Sequence, residues 1–234
     1  MTHRPHLFRS TRAMILVVAV AAILRPDCST PAAADEFQPL FDGKTLNGWV
    51  VEGNPGSDKH PDGRPVWSVA DGLIHCEGKG FGFLRYDREP FDDFTFHVEF
   101  RMAAKCNSGI GVRTRVFDPK QSRATRPSIY SYEIQIVDET KPISPTSNGS
   151  LYRYVAPKSN PLKSPGEWNT IEVTCVGPRI RVVLNGVEIQ NVDQSTIEAL
   201  KSKPLKGFVC LQNHGGRIDF RNVKIKRIAA SDTH

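Results

Sequence analysis

Beyond residue 35 the sequence has no apolar run approaching the roughly 20 residues that a membrane-spanning helix needs. That part of the chain is not read as a helical membrane protein. It also lacks a Cys-x-x-Cys pair, so a structural zinc site of the knuckle type is not expected. A Gly-x-Ser-x-Gly elbow, a Gly-x-x-x-x-Gly-Lys-Ser/Thr phosphate loop and a His-Glu-x-x-His helix are all missing. These absences remove the serine-hydrolase, nucleotide-hydrolase and metalloprotease readings. Basic residues are scattered singly, so a formal charge of +6 does not point to nucleic acid. No Ser/Gly-rich linker divides the chain, and after residue 35 only 195–202 offers a short helical period.

The N-terminus carries what the rest lacks. Arg4, Arg9 and Arg12 precede an apolar run over 13–24, and Ala32-Ala33-Ala34 follows, the order of a secretory signal peptide. Residues 1–34 are therefore expected to be removed, leaving one domain over 35–234 that is exported to the periplasm or the cell exterior. A lipoprotein processed at Cys28 is disfavoured by the Arg25-Pro26-Asp27 before it. Removal takes away four Arg and one Asp and lowers the formal charge from +6 to +3. Cys76, Cys106, Cys175 and Cys210 then remain in a compartment that permits disulfides; three pairings, or four buried free thiols, are open.

Short strand-like segments with turn chemistry between them dominate the remainder. The candidates are 67–69, 73–76, 94–102, 108–115, 130–137, 168–176, 179–184, 207–212 and 218–228. Asn185-Gly186, flanked by 179–184 and Val187-Glu188-Ile189, is a tight hairpin turn, because its backbone tolerates positive φ. This number and spacing of strands suits two packed sheets or a closed barrel. The expected class is all-β, a two-sheet antiparallel jelly-roll sandwich, which buries the apolar alternates between its layers. Polar stretches at 57–64, 117–128 and 140–148 are expected as rim loops.

Alternation splits each strand into two faces. Phe94, Phe96, Val98 and Phe100 oppose Thr95, His97, Glu99 and Arg101. Tyr130, Tyr132, Ile134 and Ile136 oppose Glu133 and Gln135. Val209 and Leu211 oppose Cys210 and Gln212, with His214 beyond; Ile110, Val112 and Thr114 oppose Gly109, Gly111, Arg113 and Arg115. Four segments thus carry a second face rich in His, Glu, Gln, Asn and Arg, and these are expected to converge on one pocket. The competing account is a sheet face that merely meets water. Trp49, Trp67 and Trp168 suit either sugar stacking or the core.

Retaining β-glucanases on related sandwiches place paired acids on one strand as Glu-x-Asp-x-x-Glu. Here the nearest run is Glu133-Ile134-Gln135, with a single acid, so two-carboxylate glycoside hydrolysis is not expected. The same stretches resemble the 3-keto-disaccharide hydrolase family over nearly all of residues 35–234. The pieces are Phe37-Gln38-Pro39-Leu40-Phe41-Asp42-Gly43, Leu46-Asn47-Gly48-Trp49, 94–101, Asn107-Ser108-Gly109-Ile110 with Arg113, and Tyr132-Glu133-Ile134-Gln135. Further on come Gly149-Ser150-Leu151-Tyr152, Pro165-Gly166-Glu167-Trp168-Asn169, Leu184-Asn185-Gly186, Leu211-Gln212-Asn213-His214-Gly215 and Phe220-Arg221-Asn222. Asn213 stands where the family pattern has Asp, and the 140–148 loop is long.

The resemblance implies a concanavalin A-like sandwich acting on glycosides already oxidised at C3, with a sugar 3-dehydrogenase upstream. A C3 ketone acidifies the C2 hydrogen and leaves the C1 oxygen β to the carbonyl, so one base can drive elimination and water can complete a net hydrolysis. The site residues expected are Glu133 and His214 as base and acid, in either order. Asn107, Arg113, Gln135, Tyr152, Gln212 and Glu99 are expected to contact the sugar. A divalent metal on His97, Glu133 and His214 is compatible with the ligand types. A non-catalytic carbohydrate-binding module is the alternative function. A third, an interaction protein outside the cell, lacks the apolar outer face it would need.

Overall fold

The computed structural model describes residues 1–2, 36–139 and 142–229. The expected leader, apart from its first two residues, lies outside them. Thirteen strands follow in chain order: β1 Gln38–Pro39, β2 Trp49–Gly53, β3 Trp67–Ala70, β4 Leu73–Cys76, β5 Gly82–Tyr86, β6 Phe94–Met102, β7 Asn107–Thr114, β8 Tyr132–Val137, β9 Asn169–Val176, β10 Arg179–Leu184, β11 Val187–Asp193, β12 Phe208–Asn213 and β13 Ile218–Arg227. Two helical turns, α1 Ser122–Thr125 and α2 Pro127–Tyr130, sit between β7 and β8.

The strands form two antiparallel sheets. The larger runs β11-β10-β9-β6-β13-β4-β3, with β1 paired to β13, and the smaller runs β2-β5-β12-β7-β8. They pack face to face as an open jelly-roll sandwich rather than a closed barrel. Period-two alternation explains the core between them. Phe94, Phe96, Val98 and Phe100 from β6 are fully buried there, as are Ile110, Val112, Ile134, Ile136, Val209, Leu211 and Leu84 from the smaller sheet. Trp67 stacks on Phe220, and the buried Trp49 donates its indole N–H to the Leu40 carbonyl at 2.8 Å, so both serve the core.

Several strand ends moved. Tyr130 closes α2 instead of opening β8, and β2 and β5 were not foreseen. The 195–202 segment forms only a 3₁₀ turn, Gln194–Thr196. The backbone wraps instead around the buried Gln194, whose amide donates to the Leu200 and Lys203 carbonyls.

Arg113 corrects the alternation argument. Cys210 pairs with Gly111 and Phe208 with Thr114, so Val112 and Arg113 together oppose Val209 in a β-bulge, with Arg113 at φ 54°. The extra residue turns Arg113 inward, where it is fully buried and donates to the Gly177 carbonyl at 2.7 Å and the Asp92 carbonyl at 2.9 Å. It ties the two sheets together and does not contact a sugar. Cys76, Cys106, Cys175 and Cys210 are all free and buried.

Candidate functional site

The outward face of the smaller sheet carries a cavity of about 100 Å³ lined by Phe81, Asn107, Arg126, Ser128, Glu133, Gln135, Tyr152, Arg153, Gln212 and His214. Its floor follows from strand register. Gly111 lies opposite Glu133 and Gly109 opposite Gln135. A Cβ at residue 109 would lie 3.1 Å from the Glu133 Cγ. Gly109 therefore leaves the room into which the Glu133 side chain leans. β12 supplies Gln212, and just past its end Asn107 and Gly215 exchange main-chain hydrogen bonds of 2.6 and 2.9 Å. That exchange holds His214 beside Asn107.

Two loops raise the walls. One runs from β7 to β8, anchored where the Phe117 N–H donates to Glu52 Oε2 at 2.9 Å. Pro127 opens α2, where its missing N–H is harmless, and brings Arg126 and Ser128 to the rim. The other runs along β8: Gly149 N–H donates to the Gln135 carbonyl and Tyr152 N–H to the Glu133 carbonyl. This places Tyr152 and Arg153. Phe81, Phe83 and Phe117 pack edge to face with one another and close the sheet toward β5.

Glu133 is 5% exposed. Burial pushes its carboxyl up to about 7, against the opposing pull of hydrogen bonds from Gln212 and Ser128 and of the Arg126 and Arg153 charges. Partial burial, with Arg126 adding, holds His214 below its usual range, which favours the neutral imidazole. Phe81 meets His214 edge-on at 5.3 Å and carries the Arg126 guanidinium over its face at 4.3 Å. Arg126 Nε, Gln135 Oε1 and Gln212 Oε1 are buried without a hydrogen-bond partner. Unmet polar atoms around one cavity are what a polyhydroxylated ligand would satisfy.

Six of the eight expected site residues thus meet: Glu133, His214, Asn107, Gln135, Tyr152 and Gln212. Two do not. Arg113 turns into the core, and Glu99 lies on β6, in the other sheet, where it accepts from Arg221 Nε at 2.7 Å and from Asn222. The suggested metal triad fails for the same reason, because His97 is on β6 and pairs with Glu172 at 3.0 Å. Trp168 faces Arg221 and Arg101 rather than the cavity. Asn213, the departure from the family pattern, points away from the cavity and donates to the Ser57 and Lys79 carbonyls. Sequence reasoning missed Phe81, Arg126, Ser128 and Arg153. The second and third stand in the 117–128 rim loop and the last beside Tyr152, so position was the available signal.

Residues 36–226 match the family described as the 3-keto-alpha-glucoside-1,2-lyase-like domain. The chain is 25% identical to the 3-keto-disaccharide hydrolase of Bacteroides thetaiotaomicron, over 84% of this chain and 80% of that protein. Two crystal structures of candidate glycosyl hydrolases from Parabacteroides distasonis superpose on it. One has a TM-score of 0.67 at 26% identity, covering 83% of this chain and 100% of the other. The second has a TM-score of 0.65 at 24% identity, covering 82% and 94%.

Proposed function

Since the chain belongs to the 3-keto-alpha-glucoside-1,2-lyase-like family, and is on that ground a hydrolase of the 3-keto-disaccharide type, we propose that it cleaves 3-keto-glycosides by elimination across C1 and C2 followed by addition of water. The observation that carries this reading is a lone buried carboxylate, Glu133, tuned to near neutrality among cations. An acid with that affinity for protons can take one from carbon and return it.

Glu133 removes the C2 proton, and the electron pair moves into an enolate whose oxygen is stabilised by the Arg126 and Arg153 guanidiniums. The enolate then expels the C1 oxygen. The proton held on Glu133 passes to the departing aglycone oxygen, which His214 hydrogen-bonds at the cavity mouth. Water adds across the C1–C2 double bond, its oxygen to C1 and its proton to C2, giving the free 3-keto sugar. Gln135, Gln212 and Asn107 offer both donors and acceptors to ring hydroxyls, and the aromatic wall and the Tyr152 turn limit the cavity to one terminal ring. The reaction class that must supply this substrate is oxidation of a C3 hydroxyl. The Arg-flanked apolar leader favours an exported, periplasmic or extracellular, site of action.

The test is to follow aglycone release from a 3-keto-glucoside and from the unoxidised glucoside in D₂O. Release from the keto substrate alone, with deuterium entering C2, is expected. Cleavage of the unoxidised glucoside at an equal or higher rate overturns the elimination scheme, and binding of both without turnover favours a carbohydrate-binding module.

A further inference from the structure

Lys203 is 8% exposed, and among the described residues no carboxylate pairs with it. Its Nζ donates to the Ile129 carbonyl at 2.6 Å and lies 4.6 and 5.5 Å from the ring centroids of Tyr154 and Tyr132. A buried ammonium with no anion is costly relative to an aliphatic side chain of the same size. The cost is visible in the lysine itself, which burial pushes down to about 8. Stability does not account for a lysine here.

Its contacts do. Ile129 follows Ser128, Tyr132 precedes Glu133, and Tyr154 follows Arg153, so each group Lys203 touches adjoins a cavity residue from a different wall. A second tie runs through Gln194, which accepts from the Tyr132 hydroxyl at 2.7 Å and donates to the Lys203 carbonyl at 2.9 Å. We propose that Lys203 is a positioning residue: from behind the cavity it holds the Ser128 turn, the Glu133 strand and the Arg153 turn in register, so that Ser128 and Arg153 bear on the Glu133 carboxylate. The proposal rests on Glu133 being the base.

The charged and titratable groups around Glu133 are Arg126 from the β7–β8 loop, Tyr152 and Arg153 from the turn along β8, His214 beyond β12 and the Cys210 thiol on β12. All survive in Lys203→Met, so a displaced Glu133 titration reports their placement. That titration is read by carboxylate infrared difference spectroscopy on unliganded protein, with Glu133→Gln identifying the band, alongside kcat and KM for a 3-keto-glucoside. The expected result is a Glu133 midpoint raised by roughly half to one unit, because the Ser128 and Arg153 interactions that lower it slacken. With it, kcat falls about tenfold at pH 7 while KM stays within about twofold, and the melting temperature holds or rises. Lys206→Met, at an exposed lysine paired with Asp92, leaves both readouts at parent values. A folded Lys203→Met with an unmoved Glu133 midpoint overturns the proposal. If the parent turns over no 3-keto-glucoside, the reading of the reaction fails, while the titration still decides the positioning claim. Should Lys203→Met not fold, Tyr154→Leu asks the same question by removing one ring from the ammonium; there an unmoved midpoint is again the adverse outcome.

Discussion

The outward faces of the two sheets are both polar, and they differ in how their polar groups are used. On the larger sheet the charges are matched: Glu99 with Arg221 at 2.7 Å, Asp219 with His75 at 2.7 Å and with Arg101 at 2.8 Å, His97 with Glu172 at 3.0 Å. Trp168 adds to this by facing the Arg221 and Arg101 guanidiniums at 3.9 and 4.9 Å. On the smaller sheet Glu52 is matched with Arg85 at 2.7 Å, but within the cavity Glu133 is buried over Gly109, and Gln135, Gln212 and Arg126 each keep a buried atom unbonded. Apart from His97 Nε2, the groups of the larger sheet's face satisfy one another and leave little for a ligand. A face left in deficit is prepared for one.

The comparison is broken most severely at Glu133. Glu133→Gln is expected to lower kcat/KM on a 3-keto-glucoside by about 10³-fold or more, measured as aglycone release. In the parent, kcat/KM should climb through about pH 7 as the carboxyl ionises. Stability runs the other way. The folded value lies above the ordinary 4.5, so the contribution of Glu133 is fully present below about pH 4.5 and is lost as pH rises through about 7. Glu133→Gln should therefore exceed the parent in urea stability at pH 8 by up to about 3 kcal/mol, and equal stability there would show the carboxyl to be less confined than described.

Next in size is Arg113→Met, which takes the fully buried guanidinium away from the Gly177 and Asp92 carbonyls and the Asp93 carboxylate that it bridges. Urea unfolding should register a loss of about 3–5 kcal/mol. His214→Ala should cost about 10²-fold in kcat/KM with the melting temperature nearly unchanged. The smallest effect belongs to the matched face: Glu99→Gln should move stability by about 1 kcal/mol or less and leave kcat/KM at the parent value. A Glu99→Gln variant with impaired turnover would erase the distinction between the two faces.

Alternation and turn chemistry made most of the fold legible. β4, β6 and β10 have the bounds that hydrophobic period and flanking turns indicate, because each is a regular strand with one face in the core. Arg113 was misplaced because a bulge adds one residue, and period-two counting has no means of sensing it. Glu99 was misplaced for a different reason: alternation tells which residues share a face of one strand but not which sheet the strand joins. Glu133, Gln135 and Gln212 could be grouped because β7, β8 and β12 are neighbours in one sheet. Arg126, Ser128 and Arg153 come from irregular backbone, whose course depends on long-range anchors such as the Phe117–Glu52 hydrogen bond.

The four unlinked cysteines bear on how the protein can be made and handled. Burial lifts the Cys76, Cys106 and Cys175 thiols to about 12 and Cys210 higher still, so hardly any thiolate exists at neutral pH to react with oxidants or alkylating agents. Among the described residues no disulfide ties the fold together. Synthesis in a reducing cytosol and recovery under air should yield material of the same melting temperature, with or without dithiothreitol.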